Sequence, residues 1–285
     1  MHIGLRWFRL LERRTRLGLT IAVSLLSLIA LWFAPRVPLR PGYHDFTDQR
    51  PFLGIPNCFD VLSNIPFVVV GILGLVWLSR RSSDTSFIER RERLPYFVFF
   101  AGVALTGLGS SWYHLAPSNS RLSWDLLPMS CCFMSIVAAL IMERISLSAG
   151  FRLLIPLLAL GIASVLYWYL TEMQGHGDYR FYMFVQLFPP ILLATIIVLF
   201  PPRYTGTKYL AVAFILFVAA KLLELIDRQV YSVTGFVSGH SLKHLTAGLS
   251  CYWILRMLQC RRPIQDAREY SATNPLGVYE RQSVS

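Results

Sequence analysis

Charge and cysteine are what this 285-residue chain has least of. Charged residues make up 15% of it and hydrophobic residues 54%, which leaves too little polar surface to solvate a soluble domain of this length. Lys208, Lys221 and Lys243 are the only lysines, so arginine carries nearly all of a net charge of +11, a bias that points to a GC-rich bacterial genome. The five cysteines, Cys58, Cys131, Cys132, Cys251 and Cys260, form no C-x-x-C pair, so neither a disulfide framework nor a cysteine metal site is indicated. No Asn-x-Ser/Thr glycosylation acceptor and no internal repeat occurs. A charge of +11 raises nucleic-acid binding, but the positive residues sit in short segments between long apolar runs, as membrane topology is written. The expected partner is a bilayer, with no nucleic acid and no protein partner.

Those apolar runs define the fold class. Crossing a bilayer takes about 20 mainly apolar helical residues, because each backbone amide must bond within its own segment. Eight stretches qualify, at about 17–34, 59–79, 95–114, 125–143, 151–170, 182–200, 208–227 and 238–258. The expected architecture is all-α: a polytopic bundle with a seven-helix core and one extra N-terminal transmembrane helix. Residues 1–44 form a basic leader and an anchor, expected to remain uncleaved because Ala30 to Ala34 has no small-x-small pattern. Residues 45–260 form the seven-helix domain, and 261–285 a polar tail expected to be disordered and cytoplasmic. The leader, Arg80 to Arg93, Arg144 to Arg152, Arg203 to Lys208 and Arg256 to Arg262 fall on one side, which the arginine bias assigns to the cytoplasm. The expected location is a bacterial inner membrane, N-terminus inside.

Ionisable groups at membrane depth cost several kcal/mol unless partnered, so each is a functional candidate. His114 closes the third span, while His240 and His244 open the eighth. An odd-numbered span ends where an even-numbered one begins, so all three reach one face, by the charge bias the periplasmic one. His240 and His244, spaced i, i+4, share a helical face and can hold one metal ion, with His114 as a third ligand. Asp125 opens the fourth span at the same face, and Ser110 lies one turn before His114. Three imidazoles leave a fourth zinc position for water; nickel, copper and iron remain open on ligand type alone. His44 and His176 lie in same-side loops, expected to be solvated, and His2 lies in the leader. Lys221, Glu224 and Asp227 recur every three residues in the seventh span, either as an internal ion pair or as support for the histidines. Asp45, Asp48, Asn57 and Asp60 cluster before and within the second span, either as a solvated acidic loop or as oxygen ligands for calcium.

The segments GSSWYHLAPSNSRLSWDLLPM (109–129) and VSGHSLKHLTAG (237–248) resemble the alkaline ceramidase family, part of a seven-helix superfamily that includes the adiponectin and progestin receptors. The likeness runs from about residue 45 to 258, through FTDQRPFLGIPNCFDVLSNIP (46–66), GDYRFYMFVQLFPP (177–190) and AKLLELID (220–227). It implies that His114, His240 and His244 bind catalytic zinc with Ser110 and Asp125 beside it, and that the substrate is a ceramide-like amide. It also implies a calcium site in the acidic loop at Asp45, Asp48 and Asn57, although Asn57 stands where a carboxylate is expected. The extra first span departs from the family pattern. The competing readings are a receptor-like protein without turnover, a haem carrier with two histidine ligands, and a zinc hydrolase of another acyl lipid.

Overall fold

The computed structural model describes residues 11–264. The start of the leader and the tail from 265, with the disorder expected of it, lie outside the described residues. The helices are α1 (Arg13–Phe33), α2 (Cys58–Leu62), α3 (Ile65–Ser79), α4 (Leu94–Leu115), α5 (Asn119–Arg144), α6 (Leu147–Met173), α7 (Arg180–Leu199), α8 (Thr207–Leu225), α9 (Asp227–Thr234) and α10 (Gly239–Cys260). The described residues contain no strand beyond two isolated bridges. The chain is an all-α, multi-pass membrane bundle.

Six segments are long and apolar enough to cross a membrane unaided: α1, α2 with α3, α4 with the turn before it, α5, α6 and α7. A seventh is α8 taken with α9, which bend by 79° at their junction. Helix α10 is long enough, at 22 residues, but His240, Lys243, His244 and Arg256 dilute its apolar character. The outer faces carry large apolar side chains in the open, among them Trp32, Ile155 and Leu225, a pattern that acyl chains solvate and water does not.

Local chemistry sets the helix starts. Ser118, Ser146 and Ser238 each accept a hydrogen bond from the backbone N–H three residues on, and so cap α5, α6 and α10. The cap at Ser118 starts α5 six residues before Asp125. That carboxylate therefore lies nearly two turns inside the helix and not at its first residue, as the apolar run alone suggested.

The main core joins α3, α4, α5, α7, α8 and α10 through Phe67, Phe100, Leu140, Ile196, Ala213 and Leu258. A smaller cluster of Phe46, Tyr113, Leu122, Trp168 and Tyr182 lies towards the face where α4 ends. At the opposite face, buried ion pairs tie the span ends together. Glu92 accepts from Arg203 at 3.0 Å and from Tyr204. Glu143 accepts from Tyr96 at 2.9 Å and from Arg261. The Arg261 guanidinium also lies 4.1 Å from the centre of the Tyr204 ring, and the Ile264 N–H donates to the Arg203 carbonyl at 2.9 Å. Residues 261–264, grouped with the tail on composition, are docked against the bundle.

Removing one partner of a buried pair leaves the other charge uncompensated, at a cost of about 3–5 kcal/mol. Arg261→Met is therefore expected to lower the melting temperature of the detergent-solubilised protein markedly. An unchanged melting temperature would mean that Glu143 finds another counter-charge.

Candidate metal centre

The three histidines converge. His114, on the last turn of α4, and His240 and His244, on the first two turns of α10, have ring centroids 4.7 to 5.0 Å apart. Their ligand atoms all lie within 4.8 Å of one another, and among the described residues no other group of His, Cys, Asp or Glu is so placed. The Nε2 atoms of His114 and His240 are 3.3 Å apart. Two nitrogens each about 2.0–2.1 Å from a tetrahedral ion are separated by about 3.3 Å, so the donor pair has the spacing a metal requires. His114 Nδ1 is buried and makes no hydrogen bond.

The orientation of His244 follows from hydrogen counting. The Ser63 hydroxyl has one hydrogen, which it donates to the Asp60 carbonyl at 3.0 Å. Ser63 Oγ, 2.8 Å from His244 Nδ1, therefore accepts the Nδ1 proton, and Nε2 is left with a free lone pair for a cation. Asp60, fully buried, accepts from the hydroxyls of Ser238 and Ser241 at the start of α10. Asp227, at the α8–α9 bend, accepts the His240 backbone N–H at 2.7 Å and the Thr47 hydroxyl. The close approach of that bend to α10 requires Gly239: a Cβ there would lie 2.4 Å from the Leu223 carbonyl oxygen.

Asp125 sits on α5 against Ser110 of α4, one turn before His114. Gly109 allows this, since a Cβ at that position would stand 2.2 Å from the Trp124 carbonyl oxygen. Ser110 and Asp125 are both buried, and Asp125 Oδ1 has no hydrogen-bond partner. An unsatisfied carboxylate oxygen beside a histidine cluster is available to take a proton from a water or an amide.

The 34–57 loop covers the site. The Phe46 ring packs on His114 and His240 at centroid distances of 4.4 and 4.8 Å. The loop is pinned by the Tyr179 N–H to the Val37 carbonyl at 2.7 Å, and by the Asn57 amide to the His114 carbonyl at 2.8 Å. Loss of solvent between loop and bundle raises Tyr43 above the ordinary phenol range, and its hydroxyl lies 3.4 Å from that of Tyr179.

The remaining candidates fall elsewhere. His44 is not a solvated loop residue: its ring bridges Tyr113 Oη at 2.9 Å and Asn119 Oδ1 at 2.8 Å. The His176 ring contacts the nearby Gln174 carbonyl, at 3.1 Å. Asp48 is held by Arg50 through both oxygens at 2.8 Å, Asp45 is exposed, and Asn57 adopts a left-handed conformation with its amide turned to His114. Lys221 and Glu224 do pair, but Glu224 also accepts from Lys243 at 3.0 Å.

Lys243, Ser63 and Phe46 are the residues that sequence reasoning passed over. Lys243 Nζ lies 3.2 Å from His240 Nε2. A charge inside an apolar span between two singled-out histidines was a visible signal. Ser63, one turn after Asp60, carried no comparable mark.

The profile of the family described as Ceramidase matches residues 55–281 of the chain. No match was found among curated proteins or among solved structures.

Loss of a group that orients a metal-binding histidine commonly weakens metal affinity by about 10–100-fold. Ser63→Ala is expected to do so in a metal titration of the purified protein, with α-helical content unchanged. Affinity equal to the parent protein would show that the Ser63 contact does not orient His244.

Proposed function

The chain belongs to the ceramidase family, and from that premise we propose a zinc-dependent amidase of the membrane that cleaves ceramide-like N-acyl lipids into a sphingoid base and a fatty acid. The observation that carries this reading is the convergence of His114, His240 and His244 on one point, with the buried carboxylate of Asp125, one oxygen of it free, held against Ser110 on the neighbouring helix. The donor set fits zinc. Neutral imidazoles are good ligands for it, and three of them leave a position for water or substrate. Zinc held there would supply Lewis acidity, lowering the pKa of a bound water from about 15.7 to about 7.

The protein's own residues then divide the work. Asp125 accepts the proton of the attacking water and returns it to the leaving amine, the paired base and acid roles of one carboxyl group. Ser110 donates to the oxyanion as the amide carbon becomes tetrahedral, where one such donor can be worth about 3 kcal/mol. Phe46 limits access of bulk water to the histidines, and the pinned 34–57 loop keeps that cover in place. Lys243 lies beside His240 on the same helix, and Glu224 compensates its charge. The oriented nitrogens and the buried carboxylate need little rearrangement before reaction. The bilayer delivers the acyl chains, and the site lies near the end of α4 that the arginine bias assigns to the periplasm.

The haem alternative is disfavoured by sterics: two Nε2 atoms 3.3 Å apart, with Phe46 against both rings, leave no room for a macrocycle. A cleaved ester in place of the amide would use the same groups.

Two substitutions separate binding from chemistry. His240→Ala is expected to lose bound zinc and N-acyl lipid hydrolysis together, as measured by metal analysis and product release from the detergent-solubilised protein. Asp125→Asn should retain stoichiometric metal while turnover falls by about 10²–10⁴-fold. Amide cleavage that survives either change, or that resists a chelator, would sink the assignment.

A further inference from the structure

At the face opposite the histidines, a cavity of about 480 Å³ opens where α3 ends and α4 begins. Its rim is cationic, with Arg80, Arg81, Arg90 and Arg93, and its lining also includes the apolar Leu94 and Phe97. Arg93 is committed to the Leu78 carbonyl and the Ser83 hydroxyl. Arg80, Arg81 and Arg90 are exposed, and among the described residues none of the three is paired with a carboxylate. Two of the neighbouring acids are used elsewhere: Glu92 is buried against Arg203, and Glu89 caps the turn that starts at Arg90.

Membrane topology needs arginines near span ends, but it does not need them gathered around a concavity. Like charges at one rim repel, and an anion between them removes that repulsion. The α3 surface adds the second half of a ligand description. Ile72 and Val76 precede Arg80 at four-residue steps, so they share its helical face, and they are 51% and 45% exposed. A molecule that meets both surfaces has an anionic head at the bilayer boundary and acyl chains below it.

We propose that this groove binds the phosphate headgroup of an anionic phospholipid from the leaflet on the arginine-rich side. Guanidinium groups present paired N–H donors that match phosphate oxygens, and basic pockets between membrane helices recognise such headgroups. The acyl chains lie along Ile72 and Val76, with Leu94 and Phe97 under the glycerol. The site is separate from the histidines by the full length of α4, and it does not depend on the reaction assigned to them.

The test is lipid retention by full-length, detergent-purified protein, read by native mass spectrometry with phosphatidylglycerol, phosphatidylcholine or inorganic phosphate added. The parent protein is expected to retain phosphatidylglycerol at least about fivefold better than phosphatidylcholine, with no effect of inorganic phosphate at the same concentration. The triple variant R80Q/R81Q/R90Q is expected to lose that preference, while R152Q/R256Q, which removes arginines outside the groove, keeps it. The single R81Q variant, expected to show a partial loss, covers the case in which the triple variant does not fold. Four results would overturn the proposal: no headgroup preference, equal retention by parent and groove variants, equal loss in the control variant, or displacement of the lipid by inorganic phosphate.

Discussion

At bilayer depth a polar side chain without a partner costs several kcal/mol, and the start of α10 shows how this bundle meets that constraint. Its first two turns carry two imidazoles and an ammonium, which would not stay in an apolar span alone. Three acids from two other segments make the arrangement tenable. Asp60 accepts from Ser238 and Ser241, Asp227 accepts the His240 N–H, and Glu224 accepts from Lys243. With those contacts made, α10 has a fixed depth and rotation, and the two imidazoles point where His114 can meet them.

The same acids limit what the site can be. An ammonium beside His240 opposes a cation at that nitrogen, so Lys243 is compatible with a metal only because Glu224 lies next to it. Glu224 also pairs with Lys221, which makes it the one carboxylate between two lysines. The arrangement is neutral imidazoles for a metal, a partly compensated cation beside them, and a carboxylate, Asp125, with an oxygen unspent. Amide hydrolysis needs that combination: charge stabilisation at one point and a proton carrier at the next.

The two ends of the bundle solve different problems. The end with the histidines is closed by a loop that docks Phe46 on the rings and is tied to α4, to the α6–α7 connection and to the α8–α9 bend. The other end is fastened by Glu92 with Arg203 and Glu143 with Arg261, pairs that hold span ends rather than perform chemistry. Buried pairs of this kind contribute little net stability but make separation costly. Rigidity at that end keeps α4, α5 and α10 in register, and register places side chains at the far end.

The sequence by itself determined the class of the molecule, the long apolar helices and the identity of the three histidines that converge. Hydrophobic length reports directly on the solvent, and a polar residue in an apolar span stands out against it. Parity of the spans was enough to bring His114, His240 and His244 to one face without any knowledge of packing. Tertiary structure alone decided the depth of Asp125, because a serine cap outside the apolar run sets where α5 begins. It alone decided that His44 serves Tyr113 and Asn119, that Phe46 covers the rings, and that Ser63 orients His244. Those contacts join residues far apart in the chain through loop conformation and helix rotation, and no periodicity or spacing encodes them. The bend between α8 and α9 is of the same kind: Asp227 reads as the end of a span, yet it is the backbone cap and loop clasp on which the position of His240 rests.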